Sequence, residues 1–182
     1  MTNGTPSVQD RVGRFVARQL LSTRRWTDAI AADIARDSRG LKVLEIGSGR
    51  QDLGVDAYSV KKYFQDTNEF VQSDVNPEFG HRLVDITDMS IDQEFDLIIC
   101  MNVLEHVFDV HTAAENLRKA LRPGGRLLVA VPHLYPYHDE PIDFWRFTQH
   151  SLRELFRGYT SVDVRWKGFR RFPKGLLAIA TR

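Results

Sequence analysis

A short apolar segment that runs into two closely spaced glycines constrains the fold of this chain most. The segment is Lys42-Val-Leu-Glu-Ile46, and it continues directly into Gly47-Ser-Gly49. Its length, its β-branched residues and the glycines behind it predict a buried strand that enters a tight loop. Ligands of parallel α/β sheets bind outside the carboxyl ends of the strands. The glycine loop is therefore the first candidate binding site.

Strand and helix patterns alternate along the rest of the chain. Further strands are predicted at 69–74, 82–85, 94–101, 126–131, 160–166 and 176–181, and helices at 12–21, 27–36, 55–64, 110–121 and 148–157. This alternation favours an α/β fold with a mostly parallel sheet. The last two strands are joined by a basic turn without a helix, which predicts a hairpin and an antiparallel final strand.

The composition is that of a globular protein with one packed core. Of the 182 residues, 42% are hydrophobic and 27% are charged, which argues against disorder. The longest apolar runs are far shorter than the roughly 20 residues of a membrane span. The single cysteine, Cys100, cannot form an internal disulfide, and we expect it to fill the core of a cytoplasmic protein. We expect one domain over 1–182, with helices in 1–39 and the sheet in 40–182.

Charge is distributed unevenly along the chain. The formal net charge is only +1, which gives no bulk attraction to nucleic acid. Residues 1–145 nevertheless carry 16 basic and 22 acidic side chains, whereas residues 146–182 carry nine basic and two acidic ones. Two interpretations are open. The basic segment is either a solvated surface around the last strands or a rim that receives an anionic substrate or a phosphate-rich surface.

Polar residues follow the predicted strands where a ligand would bind. Asp74 ends the second strand, Asp85 ends the third, and Asn102 follows the fourth. A carboxylate can accept two hydrogen bonds from a ribose diol, and another can accept from an exocyclic amine. Gln51 stands where the third glycine of a dinucleotide fingerprint would be. The loop therefore does not match the pattern typical of NAD binding.

Several segments, in this order, resemble the class I S-adenosylmethionine-dependent methyltransferases of the small-molecule, methyltransferase type 11-like kind. They are Val43-Leu-Glu-Ile-Gly-Ser-Gly49, Asp74, Leu83-Val-Asp85, Phe95-Asp-Leu-Ile-Ile-Cys-Met-Asn-Val-Leu-Glu-His106 and Leu121-Arg-Pro-Gly-Gly-Arg-Leu127. The resemblance implies a Rossmann-like three-layer α/β/α sandwich. Its seven-stranded, mostly parallel sheet would have the order 3-2-1-4-5-7-6 and an antiparallel last strand.

The same resemblance implies S-adenosylmethionine as the cofactor and assigns its contacts. Asp74 would hold the ribose hydroxyls, Asp85 would meet the adenine amine, and Asn102 would lie near the methionine amino group. The remaining implied contacts are the methionine-lining Glu45, Gly47, Ser48 and Gly49, and the apolar walls of the adenine site, Val75 and Ile86.

Two histidines are candidates for a catalytic base that removes a proton from the methyl acceptor. His106 belongs to Leu104-Glu-His106, and its structural alternative is packing between loop and sheet. His138 lies in the loop 132–147, which is rich in histidine, aromatic residues and proline and follows the fifth strand. In this loop we expect Trp145 to pack into the core together with Phe147. The loop is a poor preformed metal site, and no metal is expected.

We therefore expect methyl transfer to oxygen or nitrogen of a small-molecule or glycan-like acceptor. One alternative is a non-catalytic S-adenosylmethionine-binding domain or subunit that serves a partner. Another is a methyltransferase that acts on protein or RNA through the basic C-terminal part, although nucleic acid is not the expected partner. The sequence leaves the oligomeric state open.

Overall fold

The computed structural model describes residues 23–50, 59–64, 68–137 and 142–182. The helix predicted at 12–21 lies outside the described residues. The first described helix, α1, covers 23–36, and so begins earlier than the predicted start at residue 27. Helix α2 covers Val110–Ala120 and helix α3 covers Gln149–Leu155. Thr148 caps α3 as predicted, because its side chain accepts a hydrogen bond from the backbone of Ser151.

Seven strands form one sheet in the described part of the chain, and its order is β3-β2-β1-β4-β5-β7-β6. The strands are β1 Lys42–Ile46, β2 Glu69–Asp74, β3 Arg82–Leu83, β4 Phe95–Met101, β5 Leu121–Pro132, β6 Ser161–Phe169 and β7 Phe172–Thr181. Pairing is parallel from β3 through β5, and β7 is antiparallel to both of its neighbours. The predicted fold class and strand order are confirmed.

Alternating side chains of the sheet enter two apolar layers. In β4, Ile98 and Cys100 belong to the layer that contains the buried face of α2. Leu97 and Ile99, which point to the other side of the strand, belong to the layer that contains α1. The sheet is thus covered on both faces, which accounts for its near-continuous apolar central strands. Cys100 is fully buried, as expected.

The helix predicted at 55–64 is wrong in its described part, where residues Lys61–Tyr63 form a single 3-10 turn. A long-range contact explains the difference. The carboxylate of Glu45 accepts hydrogen bonds from the Ser59 hydroxyl and from the Val60 backbone N–H, at 2.5 and 2.7 Å. These bonds to a residue of β1 fix the backbone at residues 59–60, and this tertiary contact overrides the local helix propensity.

The bounds of β3, β5, β6 and β7 also differ from the sequence pattern. Strand β3 has two residues instead of the predicted four. Strand β5 begins at Leu121 and not at the predicted residue 126, because Leu121 pairs with Phe95 in β4. Strands β6 and β7 extend until Phe169 pairs with Phe172, so that only two residues form the turn between them.

The described helices include none that is long and apolar enough to cross a bilayer.

Candidate active site

The glycine loop leaves β1 through two left-handed residues. Gly47 and Gly49 both have φ of +72°, a conformation that favours glycine. A Cβ atom on Gly47 would lie 2.5 Å from Cγ2 of Val103, so the loop and the turn after β4 pass too closely for any side chain. The Ser48 N–H donates to the Ser73 carbonyl at 2.9 Å, which fixes the loop against β2.

Glu45 lies beneath this loop and not on its surface. Its carboxylate is almost fully buried and accepts hydrogen bonds from Ser48 Oγ, Ser59 Oγ and the Val60 N–H. The carboxylate therefore ties the glycine loop to the segment at 59–60. The sequence did not reveal this, because the partners of Glu45 are 3, 14 and 15 residues away.

Asp74 ends β2 with its carboxylate facing the loop. Oδ2 accepts the Gly49 N–H and Oδ1 accepts the Asn76 N–H, both at 3.0 Å. The side chain is buried except for a small exposed portion that lines a cleft. Each carboxylate oxygen can accept a further hydrogen bond, so Asp74 retains capacity for a ligand's hydroxyl groups.

Asp85 follows β3 and is more exposed than Asp74. Its Oδ1 accepts hydrogen bonds from the backbone N–H and the hydroxyl of Thr87, at 2.8 and 2.7 Å. Oδ2 has no hydrogen-bond partner among the described residues. One oxygen thus fixes the side chain while the other can accept from a ligand.

A cleft of about 760 Å³ lies along this edge of the sheet. Its walls combine apolar side chains with a few polar groups: Ile46, Gly47, Asp74, Val75, Phe79, Val84, Asp85, Ile86, Thr87, Val103, His106, Val107, Phe108 and Asp109. Such a volume and lining are typical of sites for small molecules and cofactors.

The cleft brings together six of the predicted site residues and leaves others aside. Those brought together are Gly47, Asp74, Val75, Asp85, Ile86 and His106. Glu45, Ser48, Gly49 and Asn102 are not among its lining residues. Asn102 is exposed, has a φ of +54°, and its backbone N–H donates to the Ala130 carbonyl at 2.8 Å. His138 lies outside the described residues.

His106 closes one side of the cleft and has a defined orientation. Its Nδ1 lies 2.8 Å from the Ile142 carbonyl oxygen. Because a carbonyl can only accept, Nδ1 carries the proton in the neutral ring and Nε2 keeps its lone pair. Nε2 lies 3.9 Å from Oε1 of Glu105.

The neighbouring Glu105 is a buried carboxyl that the sequence analysis did not single out. Its side chain is 1% exposed, and neither oxygen has a hydrogen-bond partner from another residue among those described. Burial raises the pKa of Glu105 to about 8, with Asp143 acting in the same direction and Arg146 opposing it. The group is therefore protonated at neutral pH.

An aromatic wall stands beside His106. Trp145 stacks on Phe108 at 6.0 Å between ring centroids, and Phe144 meets Phe108 edge-on at 5.4 Å. The Trp145 indole N–H donates to the Val107 carbonyl at 2.9 Å. The prediction that Trp145 fills the core is wrong, because this bond holds the ring at the surface, where it is 38% exposed. Phe147 is buried as predicted.

Further contacts hold the described part of the loop at 132–147 in place. Arg146 forms a two-pronged ion pair with Asp143. His133 is hydrogen-bonded through Nδ1 to the Phe147 carbonyl at 2.6 Å. The described part of the loop at 132–147 is thus tied to itself and to the 3-10 turn Leu104–His106, the latter by backbone bonds from Phe144 and Trp145 to the Glu105 carbonyl.

Comparison with known families settles what kind of domain this sheet and cleft form. A family model described as a methyltransferase domain matches residues 16–166. The chain belongs to this methyltransferase family. Its strand order is the class I, Rossmann-like one, and the methyl donor of the class is S-adenosylmethionine.

Individual relatives of the chain are distant. A ubiquinone biosynthesis O-methyltransferase from Nitrobacter winogradskyi is 28% identical over 109 residues, which are 50% of this chain and 39% of the relative. A 1,6-didemethyltoxoflavin-N1-methyltransferase from Burkholderia thailandensis matches in structure with a TM-score of 0.63 and 18% identity, covering 100% of this chain and 92% of that one. The N-methyltransferase NodS from Bradyrhizobium japonicum has a TM-score of 0.63 and 21% identity, with 87% and 95% covered.

The described residues fit the donor that the methyltransferase class uses. The Cβ-free face of Gly47 allows close backbone approach, Asp74 and Asp85 offer acceptor oxygens to hydroxyl and amine groups, and Val75 and Ile86 supply apolar contacts for a ring. Among the described residues, three carboxylates (Asp74, Asp85 and Asp109) and no lysine or arginine line the cleft, which suits a cationic sulfonium better than a pyrophosphate.

Proposed function

We propose that this methyltransferase transfers a methyl group from S-adenosylmethionine to oxygen or nitrogen of a small-molecule or glycan-like acceptor. The observation that carries the proposal is that one cleft combines groups suited to the methyl donor with groups suited to the acceptor. Asp74 and Asp85 line this cleft together with His106 and Phe108. The O- and N-methyltransferases among the relatives support the same class of reaction.

The donor part of the cleft is assigned from its hydrogen-bonding capacity. We propose that Asp74 accepts hydrogen bonds from the ribose hydroxyls and that Asp85 Oδ2 accepts one from the adenine amine. Val75 and Ile86 would contact the ring. Gly47 would contact the methionine part, with Ser48 and Gly49 continuing the loop and Asn102 near its amino group.

Glu45 serves the donor site through the loop that it holds. Its three hydrogen bonds bring Ser48 and the segment at 59–60 together, so it fixes the backbone course on which close approach at Gly47 depends. In this role it supports the methionine part of the site from below.

The acceptor part uses His106 as a general base. S-adenosylmethionine supplies an electrophilic methyl group on a sulfonium, and the acceptor atom must lose a proton as it attacks. Nε2 of His106 has the lone pair to take this proton. The Glu105 carboxyl lies 3.9 Å from Nε2, and its ionised form, which becomes populated as the pH rises towards 8, stabilises the resulting imidazolium. Phe108 and Trp145 would hold a flat or apolar acceptor beside this ring.

Replacing His106 with glutamine is expected to lower turnover by about 10²- to 10⁴-fold, because a positioned general base contributes this much. The measurement is the release of S-adenosylhomocysteine in the presence of phenolic, amine and sugar acceptors. Donor affinity should stay within about twofold, since the base acts on the acceptor.

Two further variants show whether the effect belongs to His106. His150→Gln changes an exposed histidine on α3 and should leave turnover unchanged. His138→Ala tests the other predicted base. If His138→Ala abolishes turnover while His106→Gln does not, the base is His138 and the role proposed for His106 is wrong.

A further inference from the structure

The β6–β7 hairpin ends in a projection that the proposed reaction does not use. We call residues 165–174 the basic-aromatic tip; its sequence is Arg165-Trp-Lys-Gly-Phe-Arg-Arg-Phe-Pro-Lys174. These ten residues include five basic and three aromatic side chains and no acidic one. An exposed patch that combines aromatic and basic side chains often marks an interaction site.

Two phenylalanines at the end of the tip are unusually exposed. Phe169 is 83% exposed and Phe172 is 69% exposed. The two residues pair directly across the antiparallel strands, which places their side chains on the same face of the hairpin. They therefore form one apolar projection, and only Arg170 and Arg171 stand between them in the chain.

The cations around this apolar pair are available to a partner. Arg165 forms an ion pair with Asp163 at 2.7 Å. The structure shows no acidic partner for Lys167, Arg170, Arg171 or Lys174 within the part of the chain that it describes. Four positive charges thus surround two exposed aromatic rings, and no nearby acidic residue of the tip offsets them.

The tip lies at the same edge of the sheet as the cleft, where the parallel strands end. Strand β7 is antiparallel to β5, so its first residues lie at the edge where the parallel strands end. Backbone hydrogen bonds connect the two elements, from the His133 N–H to the Lys174 carbonyl and from the Leu134 N–H to the Pro173 carbonyl. Leu134 is itself 66% exposed and extends the apolar surface along this edge.

We propose that the basic-aromatic tip docks on an anionic phospholipid surface. Phe169 and Phe172 enter the interfacial region of the bilayer, while Lys167, Arg170, Arg171 and Lys174 contact the lipid phosphates. Apolar burial and attraction between basic side chains and anionic lipid act together in such binding. A protruding aromatic pair with a ring of cations supplies both at once.

A nucleic acid fits this surface less well. Single strands bind along grooves in which successive bases stack on separate aromatic platforms. The two phenylalanines instead share the end of a two-stranded hairpin, a convex shape that penetrates a soft interface but offers no track for a strand. The docking depends only on the tip, so it can be tested separately from methyl transfer.

The test is flotation of the whole chain with vesicles of phosphatidylcholine alone or mixed with phosphatidylserine. We expect binding to the mixed vesicles that weakens with added salt, and at least tenfold weaker binding to neutral ones. Arg170→Glu with Arg171→Glu should reduce binding to the anionic vesicles by about thirtyfold or more. Phe169→Ser with Phe172→Ser should reduce it by at least about tenfold. All four residues are exposed, so the fold should be unaffected.

A matched control separates a local effect from a change of net charge. Arg36→Glu with Arg39→Glu makes the same charge change next to β1's first residues, at the opposite edge of the sheet, and should leave vesicle binding within about twofold. The proposal is overturned if anionic vesicles do not bind the protein, or if tip and control variants bind equally. Salt-sensitive RNA binding without vesicle binding, or dimerisation lost in the phenylalanine variant, would assign the tip to a different partner.

Discussion

Replacing Asp74 with alanine should weaken binding of S-adenosylmethionine by about a hundredfold or more, measured by calorimetry. The variant would remove the charged acceptor proposed for two ribose hydroxyls, and hydrogen bonds to charged groups contribute about 1.5–3 kcal/mol each. Asp74 lines the cleft and is fixed by two backbone N–H groups, so its oxygens are oriented before a ligand arrives. Such preorganisation makes the loss large.

The same substitution has a second, smaller effect on stability. It leaves the N–H groups of Gly49 and Asn76 without their present partner, which costs roughly 1–3 kcal/mol. Asp88→Ala is the matched control, because Asp88 is an exposed carboxylate close in sequence that does not line the cleft. If Asp74→Ala and Asp88→Ala bind the donor equally well, Asp74 has no role in the site.

Replacing Glu105 with glutamine should remove a large pH dependence of stability. Burial raises the pKa of Glu105 from 4.5 to about 8 in the folded state. Between these values the unfolded chain has lost the proton that the folded chain keeps, so the free energy of unfolding falls as pH rises. The contribution of this group amounts to roughly 3–5 kcal/mol between pH 4.5 and 8.

Denaturant unfolding of wild type and variant at pH 5 and pH 8 measures this contribution. The wild type should lose about 3 kcal/mol or more relative to Glu105→Gln over that interval, since glutamine does not titrate. Glu115→Gln is the control, because Arg118 lowers the pKa of the half-buried Glu115 carboxyl and so moves its titration away from this interval. Identical pH dependence of wild type and Glu105→Gln would show that Glu105 is not buried as an acid.

The parts of the fold that the sequence predicts correctly are those with local signals. The strand Lys42–Ile46 and its glycine loop need only a short apolar run and two residues that tolerate positive φ. Thr148 is recognisable as a helix cap from its own position. The sheet order is implied only by the resemblance to the methyltransferase family, whose motifs occupy fixed places in one topology.

The parts that the sequence misses depend on partners far along the chain. The sequence predicts that Glu45 contacts the ligand, but its carboxylate instead accepts hydrogen bonds from Ser59 and Val60. The same contacts replace the helix predicted there with a turn. The sequence predicts that Trp145 packs into the core, but its hydrogen bond to the Val107 carbonyl, 38 residues earlier, holds the ring at the surface. Local patterns contain no information about these contacts.

The most direct test of the central claim is calorimetric titration of the protein with S-adenosylhomocysteine and, separately, with NAD. The glycine loop without a third dinucleotide glycine, the two acceptor carboxylates and the family membership all predict the same result. S-adenosylhomocysteine should bind at one site per chain, and NAD should give no measurable heat. Binding of NAD without binding of S-adenosylhomocysteine would contradict the assignment of this cleft.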